Sequence, residues 1–522
     1  MSTLIFTNAR VFEGSGFSAP QSFAVTDGKI VSEPDPQARR IDLGGHFVMP
    51  GFIESHAHPE MLGKALLNLD LRPQAVSSVD DILDKIALAV ANAKPGVWIR
   101  GSGWDETYLS DGRGPTKAEL DVVAPRNPVV LTRTCTHMFV VNSEALTTSG
   151  ISCDVEDPQG GRFVRDGLGA LTGLIQEAAM DQVQVPNYAD HEEEQAFRLA
   201  QEAFVGWGVT TVHDLSASAA GMRRYSQAER SGKLKMRVRP WLWALSQSAM
   251  KGLLDSALGA GISSGFGNDM LRIQGVKFTL DGSVGGRTAA VCCSFEDLDD
   301  CGLLYLADND FIPELKRAVE GGLRLAIHGI GERAIEQALD ALDQLDKNFV
   351  TNQRIRLEHC ALPTHGQLER IRDNNIIAAS SIGFIHHLGD SYIKALGFDR
   401  ASRAYPQRTF QEWGICAPGN SDSPVTDGNP WGGIYSAVTR TTKSGVVLGE
   451  EESISLSAAI RAYTNDAAYT SFEEHEIGVL SPGACADIQV LDQNPYEMEP
   501  SEWLNLTPTA VYLGGQLVYE RS

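Results

Sequence analysis

No uninterrupted apolar run in the 522 residues approaches the roughly 20 that a membrane-spanning helix needs. The opening residues lack the basic start and long apolar region of a secretory signal, so a cytoplasmic protein is expected. Basic residues are the scarcer charge, with 44 Lys and Arg against 67 Asp and Glu and a net charge of -23. Nucleic acids and anionic membranes are normally bound through a basic patch, and this balance argues against both as partners. Cysteine is sparse and shows no Cys-x-x-Cys spacing: the 8 residues stand at 135, 153, 292, 293, 301, 360, 416 and 485. A chain this long needs no disulfide to hold its core, so reduced and mostly packed thiols are expected. Tandem repeats and low-complexity linkers are missing as well.

What is present is an alternation of strand-like runs and amphipathic helices, the pattern of a parallel α/β sheet or barrel. The first run is Pro50 to His58, and others follow at 208–213, 237–242, 273–278, 323–328, 354–359, 375–380 and 415–422. Eight strands is the number for a closed (β/α)8 TIM-like barrel, the α/β fold class expected here. Helices are expected at 192–207, 219–231, 310–321, 332–346, 367–374 and 457–468. The stretch 60–190 is too long for one helix and reads as an insert, which after a barrel strand sits over the active-site face. Short β runs at both ends of the chain can pair into one small domain. The expected organisation is a barrel at 50–478 with the insert 60–190, and a terminal β domain from 1–49 and 479–522.

The run Pro50-Gly51-Phe52-Ile53-Glu54-Ser55-His56-Ala57-His58 ends in two histidines one residue apart. On a strand they project from the same face and can hold one metal ion. His-x-His alone is a weak signal, and its weight comes from convergence. Lys277 lies in the fourth expected strand, His328 ends the fifth, His359 the sixth and Asp422 the eighth, and barrel strands open their C-terminal ends onto one face. Taken singly, His328 or His359 suits a packed core and Asp422 suits a helix cap.

The phrases GFIESHAH, WIRGSGWDE, NPVVLTRTCTHMFVVNSEAL, GVKFTLDGSVGGRTAA, LAIHGIG, RLEHC, GNSDSPV and IGVLSPGACADIQVLD span nearly the whole chain. In them the sequence resembles the amidohydrolase superfamily of metal-dependent hydrolases, in particular the amidohydrolase-3 branch with the N-substituted formamide deformylases. The resemblance implies a composite β-sandwich built from both termini beside the barrel, and a homodimer. It also implies a ligand set: His56 and His58 for the more buried ion, His328 and His359 for a second, and Asp422 on a metal and the hydrolytic water. Lys277 matches the family's bridging carboxylated lysine. An ammonium has no lone pair for a cation, whereas its carbamate is an anionic oxygen donor. Such a set suits one or two divalent ions, zinc first, with manganese, iron or cobalt as substitutes.

The expected function is hydrolysis of an amide or related carbon–nitrogen bond of a small molecule by metal-activated hydroxide, with Asp422 as general base. His137 is the candidate donor to the developing oxyanion, or else a histidine bonded within the insert. The loop Asp281 to Thr288 carries Asp281, Ser283 and Arg287 as candidate substrate contacts, although Asp281 and Ser283 equally suit fixing the turn. Trp104 is a candidate aromatic wall or an insert core residue. His386 and His387 could reach the rim, and Cys360 is expected to pack away from the site. A deaminase, cyclic amidase or esterase on the same metals is the alternative, and a non-catalytic metal-stabilised binding protein a further one.

Overall fold

A computed structural model of the chain describes residues 3–32, 37–158, 160–246 and 250–521. Met1, Ser2 and Ser522, at the outer limits of the expected terminal domain, lie outside the described residues.

Seven parallel strands form the barrel sheet, in the spatial order Phe52–Ala57, Val209–Ala217, Arg237–Trp243, Gly275–Thr279, Arg324–Gly329, Arg356–His359 and Ile377–Ala379. Nearly every residue in them is buried, because helices cover the outer face and side chains fill the inner one. Val276, Phe278, Leu325, Ile327 and Leu357 pack outward against Phe311 and Leu315 of the helix Asp308–Glu320 and against Ile335 and Leu339 of Glu332–Leu342.

The expected eighth strand forms no ladder. Segment 415–422 lies between the two edge strands, yet it joins them by single bonds: Ala378 N–H donates to Cys416 O (3.0 Å) and Asp422 N–H to His56 O (2.9 Å). The reason is where its backbone donors go. Pro418 has none, Gly419 N–H donates to Ala462 O (3.0 Å), and Ser421 N–H reaches the Glu54 carboxylate (3.1 Å). Glu54 also accepts from Ser421 Oγ (2.8 Å) and His56 N–H (3.0 Å), so one buried carboxylate ties the first strand to the closing segment.

The insert carries its own six-stranded mixed sheet, from Leu69–Asp70 to Leu171–Glu177. Both termini meet in another sheet of eight strands, where Ile488–Leu491 pairs with Phe47–Pro50. In that sheet Thr3–Val11 pairs with Arg39–Asp42 through its first half and with Phe47–Pro50 through its last residues. Buried pairs Arg237–Asp487 (2.6 Å) and Arg239–Glu473 (2.7 Å) tie the third barrel strand to the C-terminal segment.

Several helices were absent from the sequence expectation, Phe384–Leu396 and Pro430–Thr439 the longest of those outside the insert, and the helix expected at 457–468 divides into Leu456–Ala462 and Asn465–Tyr469. Cysteine burial also departs from expectation: Cys135, Cys360 and Cys485 are buried, but Cys153, Cys292 and Cys293 are exposed, the last two on the long loop after the fourth strand.

Candidate metal centre

The first strand ends inside the barrel mouth. His56 is fully buried, and its Nδ1 lies 2.6 Å from Glu358 Oε2. Glu358 is itself clamped by Arg356, with Nε to Oε1 at 2.7 Å and Nη2 to Oε2 at 2.9 Å. His58 Nδ1 contacts Ser216 Oγ at 2.7 Å, and His359 Nδ1 contacts Ser381 Oγ at 2.9 Å. Each of these three rings therefore has one nitrogen fixed by the protein, which orients the other toward the centre of the mouth.

A carboxylate meets them there. Asp422 Oδ1 lies 3.3 Å from His56 Nε2 and 2.9 Å from His58 Nε2. Donor atoms of His56, His359 and Asp422 all fall within 4.8 Å of one another. His56 Nε2 is buried without a hydrogen-bond partner, and Asp422 Oδ1 faces only the two imidazole nitrogens. A lone-pair nitrogen facing a carboxylate oxygen in a buried site is costly alone, and a cation between them satisfies both. His359 (φ 67°) and Asp422 (φ 54°) also take left-handed backbone, which costs of order 1–3 kcal/mol per residue and is typical of functional positions.

Protonation suits the same role. Burial, reinforced by Lys277 and opposed by Glu358, pushes the His56 pKa down to about 4, so the ring is neutral at pH 7. Burial takes His359 well below its ordinary value, with His328 adding to the effect. Burial opposes ionisation of Asp422, but His56, His58 and Lys277 around it keep its carboxyl below the ordinary value. Neutral imidazoles and an ionised carboxylate are the forms that bind a divalent ion. Lys277, 3% exposed on the fourth strand, is pushed down to about 8 by burial against the pull of Glu358 and Asp422.

His328 stands one ring further out, its centroid 4.5 Å from that of His359. Its Nε2 faces Gly282 O (3.2 Å) and Asp281 Oδ1 (3.3 Å). A narrow cleft opens above it. Asp422, His328, His359, His137, Ser283 and Arg133 supply its polar side, and Val284, Ile330, Phe384, Leu388, Tyr392 and Val425 its apolar side.

A sequence profile described as amidohydrolase family matches residues 39–519. The chain belongs to the amidohydrolase family. It is a hydrolase acting on carbon–nitrogen bonds, and its centre takes a divalent metal. The chain is 30% identical to protein YtcJ of Bacillus subtilis (strain 168) over 498 residues, covering 93% of this chain and 92% of the relative. It is 27% identical over 508 residues to the N-substituted formamide deformylase of Arthrobacter pascens, covering 95% and 93%. Among solved structures, an uncharacterized metal-dependent hydrolase from Pyrococcus horikoshii OT3 aligns with a TM-score of 0.76 and 25% identity, covering 96% and 99%.

Against this amidohydrolase centre, the pocket expectations divide. His137 lines the cleft with its Nδ1 2.8 Å from Glu177 Oε2. Burial disfavours its charged ring, but Glu177 outweighs that and raises its pKa to about 9. Ser283 lines the cleft too, with its Oγ accepting from Gly286 N–H at 3.0 Å. Asp281 fixes the turn, accepting from Ala290 (2.9 Å), Ile330 (3.0 Å) and Gly331 (2.9 Å) N–H groups. Two substrate contacts need correction. Trp104 packs in the insert core and donates to Leu131 O (3.2 Å), because its strand turns that face inward. Arg287 is occupied by Asp297, to which its Nε donates at 2.7 Å, and it does not line the cleft. His386 and His387 stay outside the lining as well, with His386 Nδ1 on Thr441 O at 2.9 Å. Cys360 packs in the barrel core.

Sequence reasoning missed Glu358, Ser216, Ser381 and Glu177. For Glu358 a signal existed, a carboxylate beside His359 in an apolar strand. For Ser216 and Ser381 none did, since a serine in a strand carries no mark of the ring it will meet.

Proposed function

We propose that the protein hydrolyses an amide or related carbon–nitrogen bond of a small molecule, with Asp422 as general base and His137 as donor to the carbonyl oxygen. The observation that carries the reading is the convergence of donor atoms of His56, His359 and Asp422 within 4.8 Å of one another, beside a cleft that His359 and Asp422 line. His56, His58, His328, His359 and Asp422 would hold the divalent ion or ions, zinc by donor type, with Lys277 as its carbamate. Carbon dioxide adds to the neutral amine of Lys277 and a proton leaves, turning a buried cation into an anionic oxygen donor. When bound, the metal supplies Lewis acidity and water acidified from a pKa of about 15.7 to about 7.

Asp422 takes the water proton and passes it to the leaving nitrogen as the carbon–nitrogen bond breaks. His137, its Nδ1 held by Glu177, keeps Nε2–H as its free donor and places positive charge where the carbonyl oxygen becomes anionic. The apolar side of the cleft excludes water from the substituent on the amide. The remaining expectations are carried here as proposals: cytoplasmic location, a homodimer, Ser283 at the substrate, and the terminal sheet as a small β-sandwich domain flanking a 50–478 barrel. Amine release from a panel of N-substituted formamides and N-acyl amines tests the reading. Release that depends on added zinc is expected, and none across the panel with metal-replete protein would contradict it.

A further inference from the structure

The loop after the fourth barrel strand carries a second cluster of reactive side chains. Cys292 and Cys293 are both exposed, and their Sγ atoms lie 3.3 Å apart. This exceeds a disulfide bond, about 2.05 Å, so both are free thiols. It falls short of the edge of a tetrahedral zinc thiolate, about 3.8 Å for bonds of about 2.3 Å. With bonds of that same length, about 2.3 Å, a 3.3 Å bite corresponds to an angle near 90° at the bridging atom. Trivalent arsenic, a thiophilic fourth-row centre with three bonds nearly at right angles, has that shape.

Cys292 is held in place by the protein. Cys292 N–H donates to Glu332 Oε2 (3.1 Å) and Cys292 Sγ lies 3.4 Å from Glu332 Oε1, at the start of the helix Glu332–Leu342. Behind it, Val291 N–H donates to Cys301 O (3.0 Å) and Ala290 N–H to Asp281 Oδ2 (2.9 Å). Preorganised thiols lose less conformational freedom on chelation. A redox role fits less well: burial, with Cys293 and Glu332, pushes the Cys292 thiol up to about 12, far from the thiolate that disulfide exchange needs.

We propose that Cys292 and Cys293 form a dithiol site for a monosubstituted trivalent arsenical. In R–As(OH)2 two As–O bonds break and two As–S bonds form, each thiol proton leaves with a hydroxide as water, and arsenic remains trivalent. To test this, the folded full-length protein is treated with phenylarsine oxide, dialysed against a monothiol and weighed intact by mass spectrometry. One phenylarsenic bridge per chain is expected, removed by a small dithiol. Cys292→Ser and Cys293→Ser should each lose it, while Cys153→Ser, at an exposed thiol in the insert, should keep it, with circular dichroism checking that all three fold. An unmodified wild type, retention by C292S or C293S, or loss from C153S would overturn the proposal.

Discussion

His56 can serve as a donor only while one ring nitrogen keeps its lone pair, and Glu358 decides which nitrogen that is by holding Nδ1. Glu358→Gln should weaken divalent-metal affinity about 10–100-fold, read by titration of the metal-free protein, because the neutral amide orients the ring less firmly. Unchanged affinity would remove Glu358 from this role. Asp422→Asn should lower kcat about 10²–10⁴-fold in protein whose fold and metal content are intact. Survival of full activity there would refute the general-base assignment. Lys277→Ala should lower metal occupancy, with partial rescue by short carboxylic acids, and full occupancy would exclude it from the site. His137 titrates near 9 in the fold against 6.5 unperturbed, so its pair with Glu177 is complete below about 6.5 and is lost as pH rises through about 9. Glu177→Gln should therefore move the alkaline limb of kcat/KM to lower pH, and an unmoved limb would count against the pair. At this scale the sequence made Asp422 legible although its segment forms no strand, and His56 and His359 legible because each stands at a strand end. Glu358 and Glu177 were not, since each acts through a ring contributed by another element.

Among the elements, the barrel strands were legible because a parallel strand buried on both faces reads as one continuous apolar run. The closing segment 415–422 was misread as a strand for the same reason: its composition is apolar enough, but Pro418 and the Glu54 carboxylate take its backbone donors out of any ladder. The helix Pro430–Thr439 was missed although Asn429 caps it and Pro430 opens it, since Gly432 and Gly433 weaken its helical pattern. Gly433 is required by packing, as a Cβ there would overlap Tyr463 Oη. The C-terminal segment is bound to the third strand by charge. Glu473→Ala leaves Arg239 buried and unpaired and should cost about 3–5 kcal/mol, seen as a lower denaturation midpoint. Arg372→Ala, at an exposed pair with Asp373, should leave the midpoint nearly unchanged. Equal effects would contradict this view of what holds the termini.

For the whole molecule, the family match over residues 39–519 and the barrel mouth agree on one chemistry, metal-dependent hydrolysis. Substrate choice was the least legible property, because the cleft is assembled from the insert and several separate segments whose contacts no single one encodes. The central claim is that the divalent metal at His56, His359 and Asp422 is required for carbon–nitrogen bond cleavage. The direct measurement follows metal content and amine release together while the protein is chelated and then reloaded with zinc. Both should fall and return in step in the wild type, and neither should return in His359→Ala. Amine release that persists in metal-free protein, or metal binding that survives in the variant unchanged, would contradict the account.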